Sequence, residues 1–197
     1  MSDPEFPDRD DADAKAWFYL DNRTDIETWG ALRTDASALL DRYLVALAPT
    51  FEELAEELGA EPDVGEIEAG SWPRVGLRRA SWTHAGIADV SIVVQWERAR
   101  LLKPGPNEWP FTAVLMSSEQ EDAERRRQIA DAAAPVRSKL KGQKAYRWPH
   151  WRYETTPADA PGLDPDALAR AAVASFRELW EVAAPILDTL HLTSDDD

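Results

Sequence analysis

Apolar and polar residues alternate most clearly over residues 86–96, where Val90, Ile92, Val94 and Trp96 fall on one face and Ser91, Val93 and Gln95 on the other. This pattern predicts a central strand. Residues 74–82 alternate too, with Val75 and Leu77 on one face and Arg74, Arg78 and Trp82 on the other. Thr83-His84-Ala85-Gly86 reads as a turn, so strands 74–82 and 87–98 are expected to form an antiparallel hairpin. A loop at 103–107 precedes a third strand at 111–116. Residues 145–155 read as a fourth strand, rich in aromatics, which Pro149 demotes to an edge or bulged position. Residues 64–68 suit a short edge strand.

The helical patterns lie on either side. Thr24-x-x-Glu27 has capping-box spacing, and Trp29, Leu32, Ala36, Leu39, Tyr43 and Leu47 then recur at three- and four-residue steps, one expected core-facing stripe. Ahead of it Trp17, Phe18, Tyr19 and Leu20 form an aromatic knot, a short helix or strand expected to lie on the core. Pro49 breaks the helix, Phe51, Leu54 and Leu58 continue it inward, and Gly59 caps it. Ser118-x-x-Glu121 predicts the start of a helix running to Leu140, disturbed at Pro135 and ended by Gly142. Asp164-Pro165 starts the last helix, whose stripe is Leu168, Ala172, Phe176, Leu179, Ala183 and Leu187, with a kink expected at Pro185. Helix, helix, three strands, helix, strand, helix implies an α+β fold: an antiparallel or mixed sheet of four to five strands flanked by long N- and C-terminal helices. Residues 14–191 are expected to form one domain, with disordered acidic segments at 1–13 and 192–197.

Composition narrows the class. With 197 residues, 44% of them hydrophobic, the chain is long enough for a sizeable core, and no apolar run approaches the roughly 20 residues of a membrane span. It has no cysteine, hence no disulfide, thiolate metal site or cysteine nucleophile. The acidic start lacks a signal-peptide core, so a cytoplasmic protein without a membrane partner is expected. Net charge is −15, and only five of the 22 basic residues are lysine, a bias that a salt-accumulating cytoplasm selects.

Charge is unevenly spread. Residues 71–156 hold 15 Arg or Lys against nine Asp or Glu, while the flanks hold seven bases against 28 acids. Either the basic sheet segment offers an anion-binding surface, or acidic helices lie over it as internal complement. Its sharpest part spans Lys139 to Arg152. Lys144, Arg147, Trp148, His150, Trp151 and Arg152 are the candidate ligand-binding residues, with Arg74 and Arg78 as neighbours, because cations track phosphates and exposed aromatics stack on unpaired bases. Strand alternation would put Trp148 and His150 on one face and Arg147 and Trp151 on the other. Trp29, Trp96 and Trp180 fall on expected core stripes.

Recognisable catalytic signatures are missing. His84, His150 and His191 are far apart and outside any HxxxH spacing, so no metal is expected, and no nucleotide-binding glycine motif or GxSxG occurs. Asp89 and Glu97 form the one carboxylate pair placed on a strand, but the acid-x-Lys of a metal-dependent nuclease is not met, since Ala99 follows Glu97. Residues 111–190, with Trp148 and Trp180, resemble the small α+β domains appended to nuclease-like proteins of prokaryotic defence systems; no functional residue is carried across. The expectation is a binding module without catalytic residues or cofactor, directed to nucleic acid or another polyanion. Two alternatives stand beside it: a nuclease-like enzyme using Asp89 and Glu97, and a protein-interaction domain using the acidic helices.

Overall fold

The computed structural model describes residues 14–103, 109–153 and 162–192. The expected acidic leader, and the expected tail beyond Leu192, lie outside the described residues. Five strands form one sheet in the order β1 (Glu61–Gly65), β2 (Arg74–Arg78), β5 (Val90–Gln95), β6 (Phe111–Met116), β7 (His150–Tyr153), every neighbouring pair antiparallel. A minor hairpin, β3 (Thr83–His84) with β4 (Ile87–Ala88), turns through Ala85 and Gly86, both at positive φ. The helices are α1 (Ala14–Asp21), α2 (Arg23–Val45), α3 (Ala48–Leu58), α4 (Ala123–Ala132), α5 (Ala134–Leu140) and α6 (Pro165–Leu192). The architecture is therefore α+β, with an antiparallel sheet of five strands. No helix among the described residues is long and apolar enough to cross a membrane.

The helices pack on one face of the sheet, α3 over β1 and β2, α6 over β5 and β6, and α5 against β7. Val75, Leu77, Ile92, Val94 and Val114 meet Phe51, Phe176 and Leu179 there, all fully buried. Every position of the expected α6 stripe is buried, and Asp164 caps its first turn by accepting from Asp166 N at 3.0 Å. Asp89, Trp96 and Trp82 carry polar groups into this core and find partners for them, as burial requires. Asp89 Oδ2 accepts from Arg125 Nε at 2.7 Å and its Oδ1 from Gln120 Nε2 at 2.5 Å. Trp96 donates to Asp41 at 2.7 Å and Trp82 to Asp188 at 2.9 Å.

Several expectations are corrected. The expected hairpin of 74–82 with 87–98 is shorter: pairing of β2 with β5 stops at Leu77, opposite Ile92, and residues 79–82 turn, Trp82 N donating to Arg79 O at 3.0 Å. The alternation ends with the strand, so Trp82 does not join Arg74 and Arg78 but stacks on Trp180 in the core, ring centroids 5.4 Å apart. Helix α4 is capped by Asp122, which accepts from Glu124 N and Arg125 N, in place of Ser118, and Pro135 divides the expected single helix into α4 and α5. Helix α2 begins at Arg23, so Thr24 lies inside it and makes no capping box. Its expected core stripe faces outward from Trp29 to Tyr43, and only Leu47, past the end of the helix, is buried as expected. Trp29 is 66% and Leu32 59% exposed, whereas Leu40 and Leu44 turn to α6 and the sheet. Hydrophobic spacing identifies a stripe but not which of two stripes the body covers. The aromatic knot is helix α1, none of which is buried.

Candidate functional site on the helix-free face of the sheet

The other sheet face carries Val93, Phe111, Ala113 and Leu115, with Trp72, Trp148, Trp151 and Tyr153 packed against them, and no helix among the described residues contributes to this cluster. Trp72 and Trp148 on this face, and Trp109, which packs against the helix-side core and also reaches the same cavity, come from one local device. Trp72-Pro73, Trp109-Pro110 and Trp148-Pro149 immediately precede β2, β6 and β7. A residue before proline is held in extended conformation, and the proline itself withholds an N–H from the start of the strand. Each dipeptide thus delivers an indole as the chain enters the sheet.

Trp72, Trp109, Trp148 and Trp151, with Phe111 and Tyr153, line a cavity of about 120 Å³. The rings meet edge to face or tilted: Phe111 lies 5.8 Å from Trp148 and 5.9 Å from Trp151, and Trp72 lies 5.8 Å from Trp148. Gln95 joins two walls, its Oε1 accepting from Trp148 Nε1 at 2.9 Å and its Nε2 donating to Trp72 O at 3.2 Å. Burial holds the Tyr153 phenol above its usual pKa, so it stays protonated at neutral pH. Glu97 is the one carboxylate in the lining, and Arg100 neutralises it at 3.0 Å.

Beside this box lies a polar cavity of about 230 Å³ lined by Arg74, Arg78 and Arg147 together with Asp63, Glu66, Ser91 and Ser117. Arg74 is paired to Asp63 at 3.1 Å and Arg78 to Glu61 at 3.4 Å. Arg147 donates to Met116 O at 3.3 Å and has no ion-pair partner among the described residues. Burial, with Arg74 and Arg126 nearby, lowers its pKa, though a guanidinium remains charged at any working pH. An anion reaching this pocket would relieve that crowding of like charge.

The candidate residues therefore divide. Arg147, Trp148, Trp151, Arg74 and Arg78 share the helix-free face. His150 and Arg152 point to the helices. His150 is fully buried, neither ring nitrogen has a hydrogen-bond partner among the described residues, and burial holds its pKa down to about 4. Arg152 is bound to Glu178 and Ser175 of α6. The expected grouping of Trp148 with His150 fails, although Arg147 and Trp151 do share a face, because residues 144–149 are not strand: β7 starts at His150, and the preceding loop folds back through the Gln143–Trp151 bridge. Residues 154–155 of the expected strand lie outside the described residues. Lys144, Lys141 and Lys139 are exposed, without ion pairs among the described residues, and Lys144 is next in the chain to Ala145 of the box lining. Arg126 stacks on the exposed Tyr146, 4.6 Å from the ring centroid.

Internal charge complementarity accounts for part of the basic segment. Asp63, Glu61, Asp188, Asp41 and Glu178, all from the acidic flanks, pair with Arg74, Arg78, Arg79, Arg98 and Arg152. Asp89 and Glu97 stand at opposite ends of β5, and Asp89 is engaged by Arg125 and Gln120, so the two do not converge. No group of three or more His, Asp or Glu suited to a metal occurs among the described residues. Compared with protein-family models, curated proteins and solved structures, the chain matches none.

Proposed function

We propose that the helix-free face binds a single strand of nucleic acid, one base entering the tryptophan box while Arg147 and Lys144 take the adjoining phosphates. The observation that carries this reading is the placement of Arg147, a cation in no ion pair among the described residues, next in the chain to Trp148 of the box. An aromatic wall paired with a cationic groove is the general solution for unpaired strands, because every base offers a π-face and every nucleotide a phosphate. A cavity near 150 Å³ is known to accept benzene, so a box of about 120 Å³ that is open to solvent suits insertion of part of a base. An organic cation fits less well, since Arg100 already cancels the charge of Glu97.

The acidity of the remainder opposes any polyanion at long range. In the concentrated salt that the composition suits, the screening length falls to about 3 Å, and the distant carboxylates no longer count. Stacking is then left as the main attraction. The test is quenching of tryptophan fluorescence by a short oligothymidylate across a salt series. The expected result is saturable quenching whose log–log salt slope is about −1.4 for two phosphate contacts. Arg147→Glu with Lys144→Glu should abolish binding. Unchanged affinity in that variant, or displacement of the oligonucleotide by tetramethylammonium, would overturn the assignment.

A further inference from the structure

We infer that the outward stripe of α2 is a two-fold interface with a second copy of this chain. No residue between 14 and 39 is buried, and helix α2 first meets the body at Ser37, whose hydroxyl donates to Leu101 O at 2.7 Å, and at Leu40. The arm N-terminal to that point is helical without a buried residue, although isolated helices of this length are marginal in water. Along it Trp29, Leu32, Ala36, Leu39 and Tyr43 follow in steps of three, four, three and four. That alternation is the heptad seam by which helices pack on one another, narrower than the stripe a globular body covers.

Trp29, Leu32, Leu39 and Tyr43 of the stripe are between 40% and 66% exposed, and Phe18 and Leu20 of α1 are 64% and 57% exposed. Large apolar and aromatic side chains held out of the body in this way are what the centre of an interface collects. The segments 1–13, 104–108, 154–161 and 193–197 contain Met1 and Phe6 as their only large apolar residues, so their composition offers little apolar surface to match it. A membrane surface is disfavoured, since residues 14–45 carry four bases against five acids, where an interfacial helix needs a basic polar face. The same near-neutrality suits self-pairing, because the bulk of the −15 charge lies elsewhere in the chain. A seam that repeats on an identical helix is self-complementary, which a two-fold contact demands.

Sedimentation velocity on the full chain, at low and at molar salt, tests this. The expected result is a monomer–dimer equilibrium that shifts to dimer with rising salt, as repulsion between two acidic copies is screened. Trp29→Asp with Leu32→Asp should be monomeric at every concentration, with an unchanged far-ultraviolet spectrum of the body. Trp29→Ala, which keeps helix propensity, should weaken the dimer at least tenfold. A wild-type chain that stays monomeric in both salts would overturn the inference. So would a dimer that survives the double substitution, or a monomer that sediments with anionic phospholipid vesicles.

Discussion

The two faces of the sheet use tryptophan in opposite ways. On the helix-covered face Trp82 and Trp96 are fully buried, and each indole N–H is given a carboxylate, Asp188 or Asp41, from a distant helix. On the helix-free face Trp72 and Trp148 lean on one another at the surface, and the Trp148 N–H goes to a neutral amide on the adjoining strand. The first arrangement ties helices to the sheet and defines the fold. The second sets rings in position and leaves one side of them uncovered. Residues that hold the molecule together and residues proposed to meet a ligand are therefore separated by the thickness of one sheet, and substitutions on the two sides should have different signatures.

The largest effect is expected from the covered face. Arg125→Ala leaves the Asp89 carboxylate buried without its cation and should cost about 3–5 kcal/mol in a urea titration. A loss under about 1 kcal/mol would mean that Gln120 alone satisfies Asp89. Gly76→Ala comes next, because a Cβ there would stand 2.2 Å from Ile92 O and 2.7 Å from Val93 Cα, backbone that cannot step aside. Overpacking of this kind costs about 1–3 kcal/mol.

His150 supplies a pH test. Its folded pKa, near 4, lies below the unfolded value of about 6.5, so the unfolded chain binds the extra proton between those limits. Its contribution is intact above pH 6.5 and is lost as pH falls toward 4, at most about 1.4 kcal/mol per unit. His150→Phe should flatten that part of the stability–pH curve relative to the wild type; parallel curves would show that another group governs it.

Smaller effects belong to the helix-free face. Trp148→Ala, half-buried and bonded through Gln95, should cost about 1 kcal/mol of stability while removing most oligonucleotide quenching. Arg147→Glu should leave the unfolding midpoint within error and act on binding alone. If it destabilises the chain as much as Arg125→Ala does, the contrast between the faces is false.

The sequence made the covered half of this comparison legible, and for a physical reason. One-sided burial writes the period-3.6 stripe of α6, and burial on both faces writes the short, β-prone and mostly apolar runs of β5 and β6, every residue of which is buried. Helix α2 misled because it carries two stripes, and periodicity does not say whether a body or a partner covers each. The 139–152 cluster was half legible. Its composition was apparent, but which side chains share a face depended on a loop that ends before His150, and the partner of Arg152 lies in α6. The Asp89–Arg125 pair, 36 residues apart, leaves no local trace. Trp72, Trp109, Phe111 and Tyr153 were missed as site residues, yet three Trp-Pro dipeptides stand in plain view in the sequence.

Gln95 gives this surface one further property. Its amide is used at both ends, carbonyl toward one indole and amino group toward the backbone of another, so neither wall shifts alone without breaking a bond or turning the amide around. The recess consequently behaves as a gauge of fixed bore. Guests are sorted by whether they fit it as it stands, and little of their affinity is spent on shaping it.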